Sequence, residues 1–121
     1  MQYQNVKIDK IIQEQEASPE ILLDGIFTSD RDMEIAVNLA LLFKQCKQLS
    51  LADNKITSVG ALILCDALND NTSLKELSLN NNDLSDIGIY LLCKTLTNYN
   101  STLEKLNLAS NGITDEEFFV R

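Results

Sequence analysis

The sequence contains no histidine and no tryptophan, and only one proline, four glycines and three cysteines. Without histidine the chain has no Ser-His-Asp triad, no imidazole metal ligand and no histidine acid–base catalyst. The net charge of −8 argues against a nucleic-acid-binding surface, because neutralising phosphates requires clustered Lys and Arg. We therefore expect a non-catalytic protein that uses no cofactor and no metal and binds no nucleic acid.

The chain also lacks a recognisable targeting segment. Its first ten residues, MQYQNVKIDK, have no apolar core of a secretory signal. Its longest apolar runs have five residues, against the ~20 of a membrane-spanning helix. An odd number of cysteines, Cys46, Cys65 and Cys93, is typical of reduced thiols inside the cell. We expect a cytoplasmic protein without membrane association. The alternative is a secreted effector, in which the N-x-[ST] sequons at Asn71 and Asn100 would be potential glycosylation sites.

Three segments of the sequence share the pattern L-x-L-x-x-N-x-[IL]. Their asparagines, Asn54, Asn82 and Asn111, recur about every 28 residues, which is a period typical of repeat architectures. Leucines at alternate positions predict a short strand whose two leucines face the core. These repeated positions account for part of the excess of leucine and asparagine, which occur 20 and 12 times in the chain.

Each of the first two strands is followed by apolar residues at helical spacing, which predicts an amphipathic helix. Ser58 and Asp86 lie where an N-cap or a first-turn acceptor is expected. A polar loop then leads to the next strand. The residues of the apolar stripes are Val59, Ile63, Leu64, Ala67 and Leu68, then Ile87, Leu91, Leu92, Thr95 and Leu96.

A strand and a helix within about 30 residues cannot bury both of their faces alone, whereas stacked copies bury a continuous core. On these motifs, from Cys46 to Ile113, the sequence resembles the leucine-rich repeat family, and within it the ribonuclease-inhibitor-like subtype. The resemblance implies an α/β fold, a short leucine-rich repeat solenoid. Its curved parallel sheet would lie on the concave side and its α-helices on the convex side.

The repeat pattern also predicts how the chain is divided. We expect an N-terminal capping segment over residues 1–17 with a short amphipathic helix, followed by a leucine-rich repeat domain over 18–121. The domain comprises a degenerate repeat, two complete repeats and a partial repeat: 18–45, 46–73, 74–102 and 103–121.

The degenerate repeat allows two interpretations of its first residues. One repeat period before the first complete motif, Ile21 and Leu23 fall on the strand leucines, which favours a strand, although Ile26 falls on the asparagine position. The alternative is a short helix that begins at Ser18 and ends at Gly25.

The C-terminal residues also leave two alternatives. The sequence after Ile113 covers only the first turns of the expected helix, and repeat arrays need a terminal cap. In one interpretation Phe118, Phe119 and Val120 form a minimal cap. In the other, the edge of the last strand stays open and pairs with another chain. We accordingly expect a monomer or a weak homo-oligomer formed through this C-terminal edge.

Two sets of polar residues are candidates for special roles. We expect the asparagines of the motif, Asn54, Asn82 and Asn111, to satisfy backbone groups in the turn after each strand, as a ladder in the resembled family does. The candidate partner-binding surface is the outward side of the sheet with its adjoining loops, which has no aromatic anchor. Its residues are Gln48, Ser50, Ala52, Asp53, Glu76, Ser78, Asn80, Asn81, Lys105, Asn107 and Ser110.

Cysteines and acidic residues receive structural interpretations. Cys65 and Cys93 occupy equivalent helix positions in neighbouring repeats, too far apart for the ~7 Å limit of a disulfide. Cys46 stands at a core leucine position. The acidic run 30–34 lacks the central glycine and the distal glutamate of a calcium loop, and acids in a first helical turn are favourable without metal.

The function predicted from these features is protein–protein interaction through the concave sheet face and adjoining loops. The acidic balance favours a basic partner. An alternative is a regulator of an enzyme, since ribonuclease inhibition and small-GTPase regulation both occur in the resembled subtype. A further alternative is a host-directed effector fragment.

Overall fold

Short strands alternate with helices in the computed structural model, which describes residues 6–15, 19–26, 30–43 and 45–112. The helices are α1 (Val6–Glu14), α2 (Arg31–Val37), α3 (Ser58–Asp70) and α4 (Ser85–Asn98), and α2 continues into a π-helical segment, Asn38–Phe43. The strands are β1 (Glu20–Leu22), β2 (Gln48–Ser50), β3 (Glu76–Ser78) and β4 (Lys105–Asn107). This order confirms the predicted α/β fold class.

The four described strands form one parallel sheet in the order β1-β2-β3-β4. Glu20 pairs with Gln48, Gln48 with Glu76, and Glu76 with Lys105, so each step across the sheet corresponds to one interval between successive motifs in the sequence. The register of the sheet therefore equals the repeat period of the sequence. The pairing of β1 also decides between the two interpretations of the first repeat, because its residues form a strand rather than a helix.

The hydrophobic core lies between the sheet and the helices. Each strand buries only its central side chain, because successive side chains point to opposite faces of a sheet. The second apolar residue of each motif follows the strand and is also buried. The buried pairs are Ile21 with Leu23, Leu49 with Leu51, Leu77 with Leu79, and Leu106 with Leu108.

The helices bury most of the apolar stripe that the spacing predicts, but not its first residue. The buried members are Leu64, Leu68, Leu92, Thr95 and Leu96, and Ile63, Ala67 and Leu91 are half-buried against the core. The prediction was wrong at Val59, which is 60% exposed, and at its counterpart in α4, Ile87, which is 66% exposed. In α3 the neighbouring residue Gly60 packs against Asp30 and Met33 of the preceding repeat instead.

The start of α3 is held by the preceding repeat. The N-cap is Thr57, one residue before the expected Ser58, and its hydroxyl accepts a hydrogen bond from Val59 N at 3.2 Å. The Asp30 carboxylate accepts bonds from Thr57 N at 3.0 Å and from Thr57 Oγ1 at 2.7 Å. A Cβ at Gly60 would lie 2.6 Å from Asp30 Oδ1, so the close approach of the two repeats requires glycine.

Helix α1 lies against the first repeat. Ile8 and Ile12 are buried, and the helix contacts both α2 and the π-helical segment. The rest of the predicted capping segment 1–17 lies outside the described residues, apart from Gln15. The C-terminal residues 113–121, on which the two alternatives for the last strand edge depend, also lie outside them.

Leu79→Ala is expected to lower the free energy of unfolding by ~2–5 kcal/mol, because truncating this fully buried side chain leaves a cavity in the core. Leu62→Ala is the matched control, since Leu62 is 51% exposed, and should change it by only ~0.5 kcal/mol. Urea unfolding followed by circular dichroism measures both values. Equal losses in the two variants would contradict the assignment of Leu79 to the core.

Candidate functional site

A buried asparagine closes the turn after each of the strands β2, β3 and β4. In the central repeat, Asn82 Nδ2 donates to Leu79 O at 2.9 Å and Asn80 O at 3.4 Å within its own turn. The same nitrogen donates to Leu51 O of the preceding repeat at 3.0 Å, and Asn82 Oδ1 accepts from Ile56 N at 3.1 Å. One side-chain amide thereby satisfies four backbone groups and joins two repeats.

The neighbouring motif asparagines are arranged in the same way. Asn111 Nδ2 donates to Leu79 O of the preceding repeat at 2.9 Å, and Asn111 Oδ1 accepts from Leu84 N at 3.3 Å. Asn54 Nδ2 donates to Leu23 O at 3.1 Å, so the series reaches back into the degenerate repeat. Asn54, Asn82 and Asn111 therefore form a ladder along the sheet.

A second pair of buried asparagines, Asn71 and Asn100, closes the turns that enter β3 and β4. Asn100 Oδ1 accepts from Thr102 N and Leu103 N, both at 3.0 Å, and Asn100 Nδ2 donates to Leu68 O at 2.7 Å. Asn71 Oδ1 accepts from the corresponding turn before β3. No structural role was predicted for either residue, and both were noted only as glycosylation sequons. Their spacing nevertheless matches the repeat period, which was sufficient to predict the second ladder.

The outward side of the sheet, here called the open sheet face, arranges its side chains in rows because the register equals the repeat period. The first row is Glu20, Gln48, Glu76 and Lys105. Glu76 lies at its centre, since its carboxylate accepts from Gln48 Nε2 at 3.1 Å and pairs with Lys105 Nζ at 3.4 Å. The row is therefore a hydrogen-bonded strip with charges of both signs.

The second row of the open sheet face is Leu22, Ser50, Ser78 and Asn107. Leu22 is 49% exposed and is the one apolar side chain in the two rows. Leu22 and Glu20 were not among the predicted partner-binding residues, because those predictions began at β2. Their positions, one repeat period before Ser50 and Gln48, were sufficient to find them.

In the turn that follows each of the strands β1 to β4, the equivalent position has a left-handed backbone. The φ angle is +67° at Gly25, +57° at Asp53, +59° at Asn81 and +57° at Ser110. Asp and Asn adopt this conformation more readily than most residues, and glycine adopts it without strain. Asn81 Nδ2 donates to Asp53 Oδ1 at 2.8 Å, so the exposed side chains of neighbouring turns are joined.

One predicted partner-binding residue does not face outward. Ala52 is only 5% exposed, so the prediction was wrong at this position. The Asp24 carboxylate of the preceding repeat lies beside it and accepts hydrogen bonds from Ala52 N at 3.1 Å and from Ser50 Oγ. The other ten predicted residues are half-buried or exposed, on the open sheet face or in its turns.

The cysteines are free thiols, with Cys46 and Cys65 buried and Cys93 half-buried. Burial raises the pKa of Cys46 from 9.0 to about 11. Burial also raises the pKa of Cys65 and of Cys93 above their ordinary value. Thiols that retain their proton are weak nucleophiles, so these residues are not suited to covalent catalysis.

The described residues contain neither a metal cluster nor a membrane span. Among them, no group of three or more His, Cys, Asp and Glu side chains is placed to hold a metal ion. No helix in this part of the chain is both long and apolar enough to cross a membrane. The open sheet face is the surface where polar side chains from successive repeats come together.

The parallel sheet, the helix between successive strands and the asparagine ladder define the class of repeat solenoids. A family model described as Leucine Rich repeat matches residues 47–65, 70–93 and 99–116, which make up half of the chain. The chain therefore belongs to the leucine-rich repeat family. Among proteins with curated sequences, none matches it.

Solved structures that are similar to this chain include the following two. Leiomodin-1 actin-binding site 2 has a TM-score of 0.74 and 18% identity, covering 90% of this chain and 65% of that structure. The C-terminal domain of tropomodulin from Caenorhabditis elegans has a TM-score of 0.69 and 16% identity, covering 86% of this chain and 62% of that structure. The chain thus spans less than two thirds of either structure, and at these identities the likeness shows the fold alone.

Asn82→Ala is expected to lower the free energy of unfolding by ~1–3 kcal/mol, because the buried Ile56 N loses its acceptor and the bond from Asn82 Nδ2 to Leu51 O of the preceding repeat is lost. Asn69→Ala is the control, since Asn69 is exposed on α3, and its effect should stay within ~0.5 kcal/mol. Urea denaturation at neutral pH measures the difference. A stability loss for Asn82→Ala as small as that of the control would argue against the ladder.

Alkylation by iodoacetamide in the folded protein is expected to be fastest at Cys93 and slowest at Cys46, whose thiol is 3% exposed. Because the folded pKa of Cys46 lies above its ordinary value, its contribution to stability is complete below pH 9.0 and is lost as the pH rises to about 11. Peptide mass mapping across this pH range measures the rates, and urea midpoints measure stability. Alkylation of Cys46 as fast as Cys93 at pH 8 would refute the assignment.

Proposed function

We propose that this chain is a non-catalytic module that binds another protein through the open sheet face, the concave surface of the solenoid, and the adjoining turns. The observation behind the proposal is the alignment of polar side chains in rows across β1 to β4. Such rows extend one surface over successive repeats, and curved repeat arrays use surfaces of this kind for binding.

The chemistry of the open sheet face favours a partner with polar and charged groups. Glu76 and Lys105 place opposite charges at its centre, and Leu22 supplies an apolar contact at its β1 end. The net charge of −8 would steer a basic partner toward the molecule. Because Gln48 and Glu76 are already hydrogen-bonded to one another, the face is preorganised for such a partner.

Actin is a specific candidate for the partner. The solved part of leiomodin-1 is named as an actin-binding site, and it shares the fold of this chain. Because the likeness extends to the fold alone, actin binding by this chain is a hypothesis that needs its own measurement.

The repeat subtype, the domain division and the cellular location are further parts of this proposal. The repeat period that sets the strand register and the 13- and 14-residue helices α3 and α4 support the ribonuclease-inhibitor-like subtype. The buried side chains of α1 support the division into a capping segment, 1–17, and a repeat domain, 18–121. A cytoplasmic location agrees with three free thiols.

The combined variant Ser50→Arg, Ser78→Arg and Asn107→Arg tests the proposed surface. Long cationic side chains in the second row should lower partner capture from cell lysate about tenfold, through steric obstruction and charge repulsion of a basic partner. Co-sedimentation with filamentous actin tests the specific candidate in the same way. Thermal unfolding verifies that the variant remains folded.

The matched control adds the same charge elsewhere, with Asn69→Arg, Thr97→Arg and Ser101→Arg at exposed positions away from the sheet. This control should retain the partners of the unmodified chain. Partners kept equally by both triple variants would contradict binding through the open sheet face. Absence of actin from the sediment of the unmodified chain would exclude actin alone.

A further inference from the structure

Four apolar side chains lie exposed on the helical side of the molecule, opposite the open sheet face. Val59 and Leu62 on α3 are 60% and 51% exposed, and Ile87 and Tyr90 on α4 are 66% and 64% exposed. We call these four residues the convex apolar patch. Ile87 and Tyr90 stand one repeat period after Val59 and Leu62, so the patch is a repeated feature of the array.

Helix geometry predicts that the four residues of the convex apolar patch lie close together. Within each helix the two residues are three positions apart, which places them on one side of the helix about 5 Å from each other. Helices α3 and α4 pack side by side, with an axial separation of about 10 Å expected for such pairs. An apolar surface of this extent, which includes a tyrosine, is typical of an interaction site.

A groove lies between α2 and α3, the helix that also carries Val59 and Leu62 of the patch. Its apolar lining residues are Val37, Ile63 and Ala67, and its polar ones are Glu34, Asn38 and Asp66. The carboxylates of Glu34 and Asp66 form no ion pair among the described residues, and no Lys or Arg lines the groove. An occupant with an aliphatic stem and a cationic end would fill it, which describes the side chains of Lys and Arg.

We propose that the convex apolar patch and this acidic groove together bind a basic amphipathic helix of a partner protein. The separation of α3 and α4 matches seven residues of a helix, about 10 Å, so apolar anchors at positions i, i+3 and i+7 of the partner would contact both pairs of the patch. A Lys or Arg about one turn beyond these anchors would reach Glu34 and Asp66.

Charge distinguishes this occupant from two others. A second copy of the chain has the same net charge of −8, so self-association through this side is opposed by repulsion. An anionic membrane surface would be repelled by Glu34 and Asp66 in the same way. A cationic helix is the occupant that satisfies both the apolar patch and the carboxylates.

The test uses a synthetic helical peptide with Leu at i, i+3 and i+7 and Lys at the flanking positions, titrated into the ¹⁵N-labelled full chain. We expect chemical-shift changes on α2, α3 and α4 and not on the strands. Leu62→Ser combined with Tyr90→Ser should weaken binding about tenfold without changing the charge. Ser101→Ala, at an exposed position in the turn before β4, is the control and should leave the affinity unchanged.

The acidic groove has its own pair of variants. Glu34→Gln with Asp66→Asn should weaken the peptide about tenfold at low salt, whereas Glu104→Gln with Asp53→Asn, which removes the same charge elsewhere, should change it less than about twofold. A peptide with Glu in place of Lys should bind at least about tenfold more weakly. All these substitutions are at exposed side chains, and thermal unfolding verifies the fold.

Several results would overturn this proposal. They are equal affinity for the Lys and Glu peptides, shift changes centred on β2 and β3, or full affinity in the Leu62→Ser, Tyr90→Ser variant. A mass of the free chain that rises with concentration and falls to the monomer in this variant would assign the patch to a second copy. Sedimentation of the chain with vesicles of anionic lipid would assign it to a membrane. None of these results bears on binding by the open sheet face.

Discussion

The fold depends on one buried amide per repeat. The strands are only three residues long, but backbone bonds between repeats continue into the turns, from Leu51 N to Ser78 O and from Asp53 N to Asn80 O. Asn82 adds bonds to Leu51 O and Ile56 N of the preceding repeat while it closes its own turn. Without the amide, Leu51 O would keep its bond from Asn54 Nδ2, but the buried Ile56 N would lose its acceptor at a cost of ~1–3 kcal/mol. The ladder therefore fixes both the shape of each turn and the offset between repeats.

Neighbouring strands are offset by one repeat period, and this offset determines the arrangement of side chains on both the sheet side and the helical side. Equivalent positions of successive repeats become lateral neighbours, so a side chain on one repeat is extended into a row by its copies. On the sheet this produces the strip centred on Glu76, and on the helices Leu62 and Tyr90 occupy equivalent exposed positions of neighbouring repeats. The second ladder, with Asn71 and Asn100, holds the entry to the strands and completes the constraint.

Much of this arrangement could be predicted from the sequence, and the exceptions have physical causes. The spacing of Asn54 and Asn82 predicts the register, because a parallel sheet of identical units repeats at the period of its sequence. The exposure of Val59 at the start of α3 could not be predicted, because there the core contact is made by Gly60 against Asp30 of a different repeat. Ala52 was misplaced although it follows the strand; it is buried, and its backbone N–H bonds the Asp24 carboxylate of a different repeat, a contact that no local pattern contains.

The two surfaces differ in what a partner must replace. On the open sheet face Glu76 already bonds Gln48 and Lys105, so a partner exchanges existing polar contacts for new ones, and its binding should weaken with salt. On the helical side the patch around Tyr90 exposes apolar area to water, so burying it gains free energy and gives a negative heat-capacity change. The open sheet face is therefore suited to selecting a partner by charge, and the convex apolar patch to adding affinity. Under the two proposals, the chain would hold two segments of one partner, or two partners, on opposite sides of the described repeats.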